Sequence, residues 1–308
     1  MQHPEYSVVI PVYNSQDSLE ELFYEIKKVF TELSTSFEAI FVDDGSKDQS
    51  WEILQGLQQS NQGQVRIIKL ARNFGQHNAT LCGLTMTRGE KIITTDDDLQ
   101  WPPSEIPKLI QAFKKSDADI IYGIPSSDKK HSGLRNSGSK ILKSTSRKFR
   151  DTPGDGSSFR IMKREIAEKI CEHRLHFIFI DEIILWYTEA VGFVSVEHHK
   201  RKHQKSGYTL SKLLGLTANL VVFYTGFPLK VLVYGGFFAS FISFVFGVIY
   251  IIKKIFWDVP LGYTSMITAI LFSTSIILFS LGIIGEYLRR MYVVQNRKPP
   301  YNIRRIIE

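Results

Sequence analysis

The 308-residue chain has only two cysteines, Cys82 and Cys171, far apart and without the spacing of a zinc site. That excludes a disulfide framework and a thiolate metal centre, and it fits a reducing compartment. Met1 to Tyr6 has no apolar core, so no secretory signal peptide is expected there. Neither G-x-G-x-x-G nor G-x-x-x-x-G-K-[ST] occurs, which removes the phosphate cradles of dinucleotide-binding and P-loop proteins. No internal repeat occurs either. Acidic residues are in the minority, 31 Asp and Glu against 38 Lys and Arg, for a net charge of +7. Such a balance points to nucleic acid, an acidic substrate or an anionic membrane surface.

The apolar residues are unevenly spread. Tyr6 to Val12, Phe37 to Val42, Val65 to Leu70, Lys91 to Thr95 and Asp119 to Tyr122 read as buried strands. Between them run helical patterns: about Ser18 (as N-cap) to Leu33, Asp48 to Gln59, Gly75 to Met86 and Pro102 to Lys114. Alternation of this kind predicts an α/β domain with a doubly wound, mostly parallel sheet and a site along its carboxyl edge. Ser126 to Ser146 reads as a polar, basic loop, and Glu165 to Val194 as helices around Asp181 and Glu182. The α/β domain is placed at residues 1–205, followed by an amphipathic segment at 206–228 that contains a helical pattern from Leu210 to Tyr224.

Two long apolar stretches follow, about 229–252 and 263–288, each long enough to span a bilayer and joined by a short linker. Basic residues cluster before the first, from His198 to Lys205, and after the second, in a tail at 289–308. The positive-inside rule then puts the large domain and both termini in the cytoplasm, on the inner membrane. The run His198–Lys205 reads as a patch for anionic lipid, each cation contributing about 1 kcal/mol. No base-stacking module accompanies it, so nucleic acid is set aside.

The most informative stretch is Thr94-Thr95-Asp96-Asp97-Asp98-Leu99-Gln100. An isolated acidic triplet is most often a solvated turn. At the end of an expected strand, however, three repelling carboxylates call for a positive partner, and a hard cation such as Mg²⁺ or Mn²⁺ is the economical one. Asp43, at the end of the second strand, can accept hydrogen bonds from a nucleobase or ribose. It can equally form the turn before Gly45. Tyr13, in Pro11-Val12-Tyr13-Asn14, offers an aromatic beside a base, and Arg72 offers a cation for a diphosphate.

Together these segments resemble the family 2 glycosyltransferases of the GT-A fold. The residues that carry the resemblance are Val9 to Asn14, Val42 to Asp48, Arg72-Asn73-Phe74-Gly75 and Asp96 to Pro103. The branch most resembled loads a sugar onto a polyprenyl phosphate, as dolichol-phosphate mannose synthase and the undecaprenyl-phosphate glucosyl and aminoarabinose transferases do. Gly285-Glu286-Tyr287 through Tyr301 is similar to that branch's tail.

The resemblance implies a nucleotide-sugar donor, a polyprenyl phosphate acceptor, Mg²⁺ or Mn²⁺, and a role in surface glycan biosynthesis or modification. It implies Asp43, Pro11, Tyr13, Asn14, Arg72 and Asp97 around the nucleotide-sugar, and Asp96, Asp98 and Gln100 as metal ligands. Arg160 would meet a phosphate, with Asp155 as the neighbouring carboxylate and Arg135 and Lys140 as acceptor-phosphate contacts. Asp181 and Glu182 are the other base candidates, with helix-start capping as their alternative role. A homo-oligomer is left open.

The chain departs from the family pattern in four places. Ser15 and Gln16 stand where relatives usually have Glu, Asp97 stands where they often have a small residue, Ile124-Pro125-Ser126 stands where many have an Arg just after the fifth strand, and Gly156-Ser157-Ser158 expands a Gly-Asp-Phe-Arg segment. Two other readings are a transferase extending a lipid-linked sugar at a hydroxyl and a non-catalytic membrane scaffold. A processive polymer synthase lacks its Gln-x-x-Arg-Trp signature here.

Overall fold

A computed structural model describes residues 3–126, 157–173, 179–199, 262–295 and 299–308, with scattered positions between 234 and 256. The chain forms two compact units, Met1–Lys205 with Pro299–Glu308, and Ser206–Lys298. In the first unit, β1 (Tyr6–Val12) and β2 (Phe37–Asp43) are buried along their whole length. Helices lie on both faces of the sheet, so both faces of each strand must be apolar. Tyr6, Val8, Ile10 and Val12 pack into the core with α1 (Leu19–Glu32) and α2 (Ser50–Ser60). Val9, Ile40 and Val42 face the other core, with α3 (Gln76–Leu84). There the helix approaches so closely that a Cβ on Gly83 would lie 2.3 Å from Val9 Cγ1.

The remaining elements of this unit are β3 (Val65–Leu70), β4 (Lys91–Thr94), α4 (Ile106–Lys115), β5 (Ile120–Pro125) and β6 (Arg160–Lys163). After them come α5 (Arg164–Cys171), α6 (Ile180–Leu185), β7 (Val191–Val196) and β8 (Ile303–Ile307). The eight strands are ordered β7-β5-β6-β4-β1-β2-β3-β8. β1 pairs in parallel with both β2 and β4, so the strand order reverses there and a crevice opens at their carboxyl ends.

The mixed α/β sheet is the one expected, with three revisions. The stretch 165–194 is not all helix: β7 closes it, and β6 just before it runs antiparallel between β4 and β5. The end of the basic tail is a strand, β8, antiparallel to β3. Ser18 does precede α1, but its hydroxyl makes no cap; it donates to the carbonyls of Ser15 and Asp97.

In the second unit, α7 (Tyr263–Gln295) is a single 33-residue helix. Its side chains Ile270, Phe272, Leu278, Phe279 and Leu281 are more than half exposed. Among the described residues no helix is long and apolar enough to cross a membrane, so the two expected spans stand on the sequence alone. The segment 206–228 and most of the first span lie outside the described residues.

Candidate active site

The loops after β1, β2, β3 and β4 meet at the crevice, and carboxylates tie them together. Asp97 binds the β4 loop to the β1 loop: its Oδ2 accepts the Tyr13 N–H at 3.0 Å and the Ser15 hydroxyl at 2.5 Å. Ser15 and Asp97, two of the positions where the sequence leaves the family pattern, thus touch each other. Asp97 is a strut between loops more than a ligand-facing group. Asp44 binds the β2 loop to the β3 loop, its two oxygens accepting Phe74 N–H at 2.7 Å and Gly75 N–H at 2.8 Å. Gly45 (φ +73°) lets those loops close: a Cβ there would stand 2.8 Å from the Arg72 and Asn73 backbone. Burial pushes the Asp44 carboxyl up to about 6, against the pull of its two N–H donors.

Asp43 is fully buried at the end of β2. Its Oδ1 accepts the Ser46 N–H at 2.9 Å, whereas Oδ2 has no hydrogen-bond partner and Lys69 Nζ stands 3.9 Å away. A buried carboxylate oxygen left without a donor costs free energy unless something supplies one. Tyr13 is exposed nearby at the end of β1. Asn14, at φ +53°, accepts the Lys47 N–H at 2.8 Å. Arg72 is exposed, its guanidinium lying over the Phe74 ring at 4.7 Å.

Asp96 is held by neutral donors on both oxygens: Gln76 Nε2 at 2.6 Å and Ser158 Oγ at 2.5 Å. Burial, with Asp98 and Asp97 adding, pushes its carboxyl up to about 7, and burial pushes Asp97 to about 6. Asp98 accepts the Gln100 N–H at 3.1 Å. Between them and Gln100 the buried Leu99 adopts a left-handed φ of +57°, a strained conformation that core packing must hold. Among the described residues no three His, Cys, Asp or Glu side chains form a ready-made metal cage. Two carboxylates, Asp96 and Asp98, match what a hard cation takes from protein when substrate phosphates and water supply its remaining oxygens; the Gln100 side chain donates to the His199 carbonyl at 3.4 Å.

Arg160, on β6 opposite Thr94, is buried. Its Nε donates to Thr94 Oγ1 at 3.1 Å, its Nη1 donates to Asp181, and its guanidinium lies over the Tyr122 ring at 5.7 Å. Asp181 therefore pairs with Arg160 and does not cap α6, which has no side-chain cap. Pro11, Gln76, His77, Thr94, Asp96, Ser158, Arg160 and Asp181 are among the residues lining a small cavity, about 40 Å³. His77 packs against Phe179 at 4.7 Å, and burial lowers its pKa.

Asp155, Arg135 and Lys140 lie outside the described residues. Ser158, directly before Phe159-Arg160, is the hydroxyl that meets Asp96. Gln76, His77, Ser158 and the Asp181–Arg160 pair were not picked out as a group by the sequence. The available signals were the position of Gln76 and His77 at a helix start and the adjacency of Ser158 to Arg160. The first two residues of the basic run also belong here: His199 N–H donates to the Gln100 carbonyl at 2.8 Å, and His198 packs edge-on against Trp101 at 4.4 Å. Those two are committed to the crevice, and residues 200–205 lie outside the described set.

A strand-order reversal, loops joined by acidic struts and an acidic triplet beside it find their counterpart in a family model described as glycosyl transferase family 2, which matches residues 7–171. The chain belongs to that family. It is a glycosyltransferase. A second model, the GtrB C-terminal hairpin, matches residues 227–291.

Among curated relatives, this glycosyltransferase is 33% identical to an uncharacterised glycosyltransferase of Synechocystis, over 96% of this chain and 94% of the relative. It is 32% identical to the undecaprenyl-phosphate 4-deoxy-4-formamido-L-arabinose transferase of Pseudomonas aeruginosa, over 98% of this chain and 90% of the relative. Among solved structures, mannosyl-3-phosphoglycerate synthase from Rubrobacter xylanophilus aligns with a TM-score of 0.51 at 14% identity, covering 71% of this chain and 72% of that one. Glucosyl-3-phosphoglycerate synthase from Mycobacterium tuberculosis, in complex with Mn²⁺ and UDP-glucose, aligns with a TM-score of 0.50 at 15% identity, covering 71% and 77%. At such identities the likeness establishes the shared fold.

Proposed function

We propose that this glycosyltransferase moves a sugar from a nucleotide donor to a polyprenyl phosphate at the cytoplasmic face of a membrane, with Mg²⁺ or Mn²⁺ bound at the acidic triplet. The observation that carries the donor side is a pair of acidic groups in one crevice whose hydrogen bonding is incomplete or entirely neutral. Asp43 offers a buried oxygen without a donor, and Asp96 is held by neutral groups alone. The first suits the N–H of a base, and the second suits a cation.

Asp96, Asp98 and Gln100 would hold the cation, which as a Lewis acid stabilises the charge on a departing nucleoside diphosphate. Asp43 with Tyr13 would orient the base, and Asp97 and Asp44 keep the four loops in register around it. Arg160, at the wall of the cavity beside Asp96, would face a phosphate of the donor or acceptor. An acceptor phosphate is already anionic near neutral pH, so direct displacement, with inversion at the sugar carbon, needs no strong base.

The pairing of Asp181 with Arg160 removes the described carboxylate best placed to be that base, which counts against a hydroxyl acceptor. The membrane side of the reading is supported by the two long apolar stretches, which carry a charge only near their ends (Lys230 and Glu286), by the hairpin-model match over 227–291 and by the exposed apolar side chains of α7. The acceptor is supported by the names of relatives that cover nearly the whole chain, undecaprenyl-phosphate transferases among them.

Purified full-length protein, in detergent, would be incubated with a panel of nucleotide sugars, Mn²⁺ and undecaprenyl phosphate, and the products separated by lipid extraction. A sugar-phosphate lipid formed from one donor class is the expected result. No lipid product from any donor, with a control enzyme active in parallel, overturns the reading.

A further inference from the structure

Arg160 has little freedom. It is 2% exposed, its Nε and Nη1 are engaged by Thr94 and Asp181, and the Tyr122 ring covers one side of its guanidinium. Asp181 comes from a different element, the first turn of α6, and its side chain is 12% exposed. The pair lines the same cavity as Asp96, His77 and Ser158. A buried ion pair of this kind is weak as a source of stability, because desolvating both groups offsets their attraction. It is effective at fixing direction, because a planar guanidinium gripped at two edges leaves its remaining N–H groups only one way to point.

We infer that Asp181 is a positioning residue for sugar transfer, acting through Arg160 by holding the guanidinium so that its remaining N–H groups face the phosphate bound beside Asp96. This rests on the function proposed above. Asp181 does not touch the phosphate; its carboxylate is turned to the arginine. Displacing a charge-stabilising group from its productive geometry costs about a hundredfold in rate, and removing such a group costs about a hundredfold to a thousandfold.

The test is a double-mutant cycle on the full chain: Asp181→Asn, Arg160→Met and the two combined, each assayed for transfer and for thermal unfolding. Asp181→Asn is expected to lower kcat about a hundredfold with donor KM changed by less than about threefold. The combined variant is expected to be no slower than Arg160→Met alone, because Asp181 acts only through that arginine. It should recover stability without recovering transfer. Should Asp181→Asn fail to fold, Asp181→Glu takes its place, keeping the charge while displacing the guanidinium, and the same loss of kcat is expected.

Losses that multiply in the combined variant would overturn the inference, as would a first variant within twofold of the wild type. Activity that returns together with stability in the combined variant would make the pair structural only. A wild type that forms no lipid-linked sugar overturns the reading on which the inference rests. Wild-type transfer that is indifferent to Asp181 overturns the inference alone.

Discussion

Two acidic clusters sit at opposite edges of one sheet and have been finished differently. At the amino edge, Glu38 accepts the Ser7 hydroxyl at 2.6 Å and the Arg88 N–H at 2.6 Å, and faces Arg66 at 3.5 Å. Glu308 adds ion pairs to Arg66 at 3.5 Å and to Arg88 at 2.8 Å. Every charge there has an opposite charge beside it. At the carboxyl edge, Asp96, Asp97 and Asp98 follow one another; Asp96 accepts from an amide and a hydroxyl, Asp97 from a backbone N–H and a hydroxyl, and Asp98 from the Gln100 N–H. The amino edge is closed by its own residues. The carboxyl edge gathers three consecutive carboxylates with Arg160 as a positive charge acting on Asp96, and under the function proposed above a cation would complete it.

Substitutions should separate the two edges. The largest effect belongs to Asp98→Ala: transfer should fall on the order of a thousandfold, while the unfolding temperature stays the same or rises as repulsion is relieved. A folded variant with metal-dependent turnover would remove Asp98 from the ligand set. At the other edge Arg66→Met leaves Glu38 buried without its nearest cation and should cost about 3–5 kcal/mol of stability. Denaturant titration would show this loss, with kcat retained in the fraction that folds. Asp44→Ala comes next. It strands the Phe74 and Gly75 N–H groups, costs about 2 kcal/mol and loosens the β2–β3 loop contact, so donor KM should rise more than kcat falls.

The smallest effect is a pH dependence. Asp96 is raised to about 7 and Asp97 to about 6, so between roughly pH 4 and 7 the folded chain binds more protons than the unfolded chain. Without divalent cation, stability should therefore fall as pH rises through that window. Added Mn²⁺ should restore it at the upper end, where the carboxylates are ionised. Thermal melts with chelator, with Mn²⁺ and with Asp96→Asn would show whether the slope belongs to the triplet; an unchanged slope in the variant would assign it elsewhere.

Much of this domain was legible because parallel strands covered on both faces read as dense β-branched and aromatic runs, as β1 to β4 do despite single polar residues such as Glu38 and Arg66. What escaped was short or disguised. β6 is four residues, Arg-Ile-Met-Lys, and β8 is Ile-Arg-Arg-Ile-Ile, whose two arginines read as tail. The β-branched Val191 and Val194 did carry a strand signal at the end of the region read as helical, and Val196 continues it.

The triplet was found because neighbouring carboxylates are visible in one dimension. Its supports were not, because Ser15 meets Asp97 across 82 positions and Ser158 meets Asp96 across 62. Asp181 was noticed as a carboxylate at a helix start and weighed as a base or a cap. Only the fold, by bringing β6 beside α6, shows that its partner is an arginine.

The central claim is that the carboxyl edge is completed by a cation that arrives with the nucleotide. Calorimetric titration of Mn²⁺ into the full-length protein, with and without a nucleoside diphosphate, tests it most directly. The account predicts one cation site whose affinity rises at least about tenfold with the nucleotide, since the phosphates supply the missing ligands, and which disappears in Asp98→Ala. Nucleotide binding and sugar transfer undiminished by chelator would contradict it.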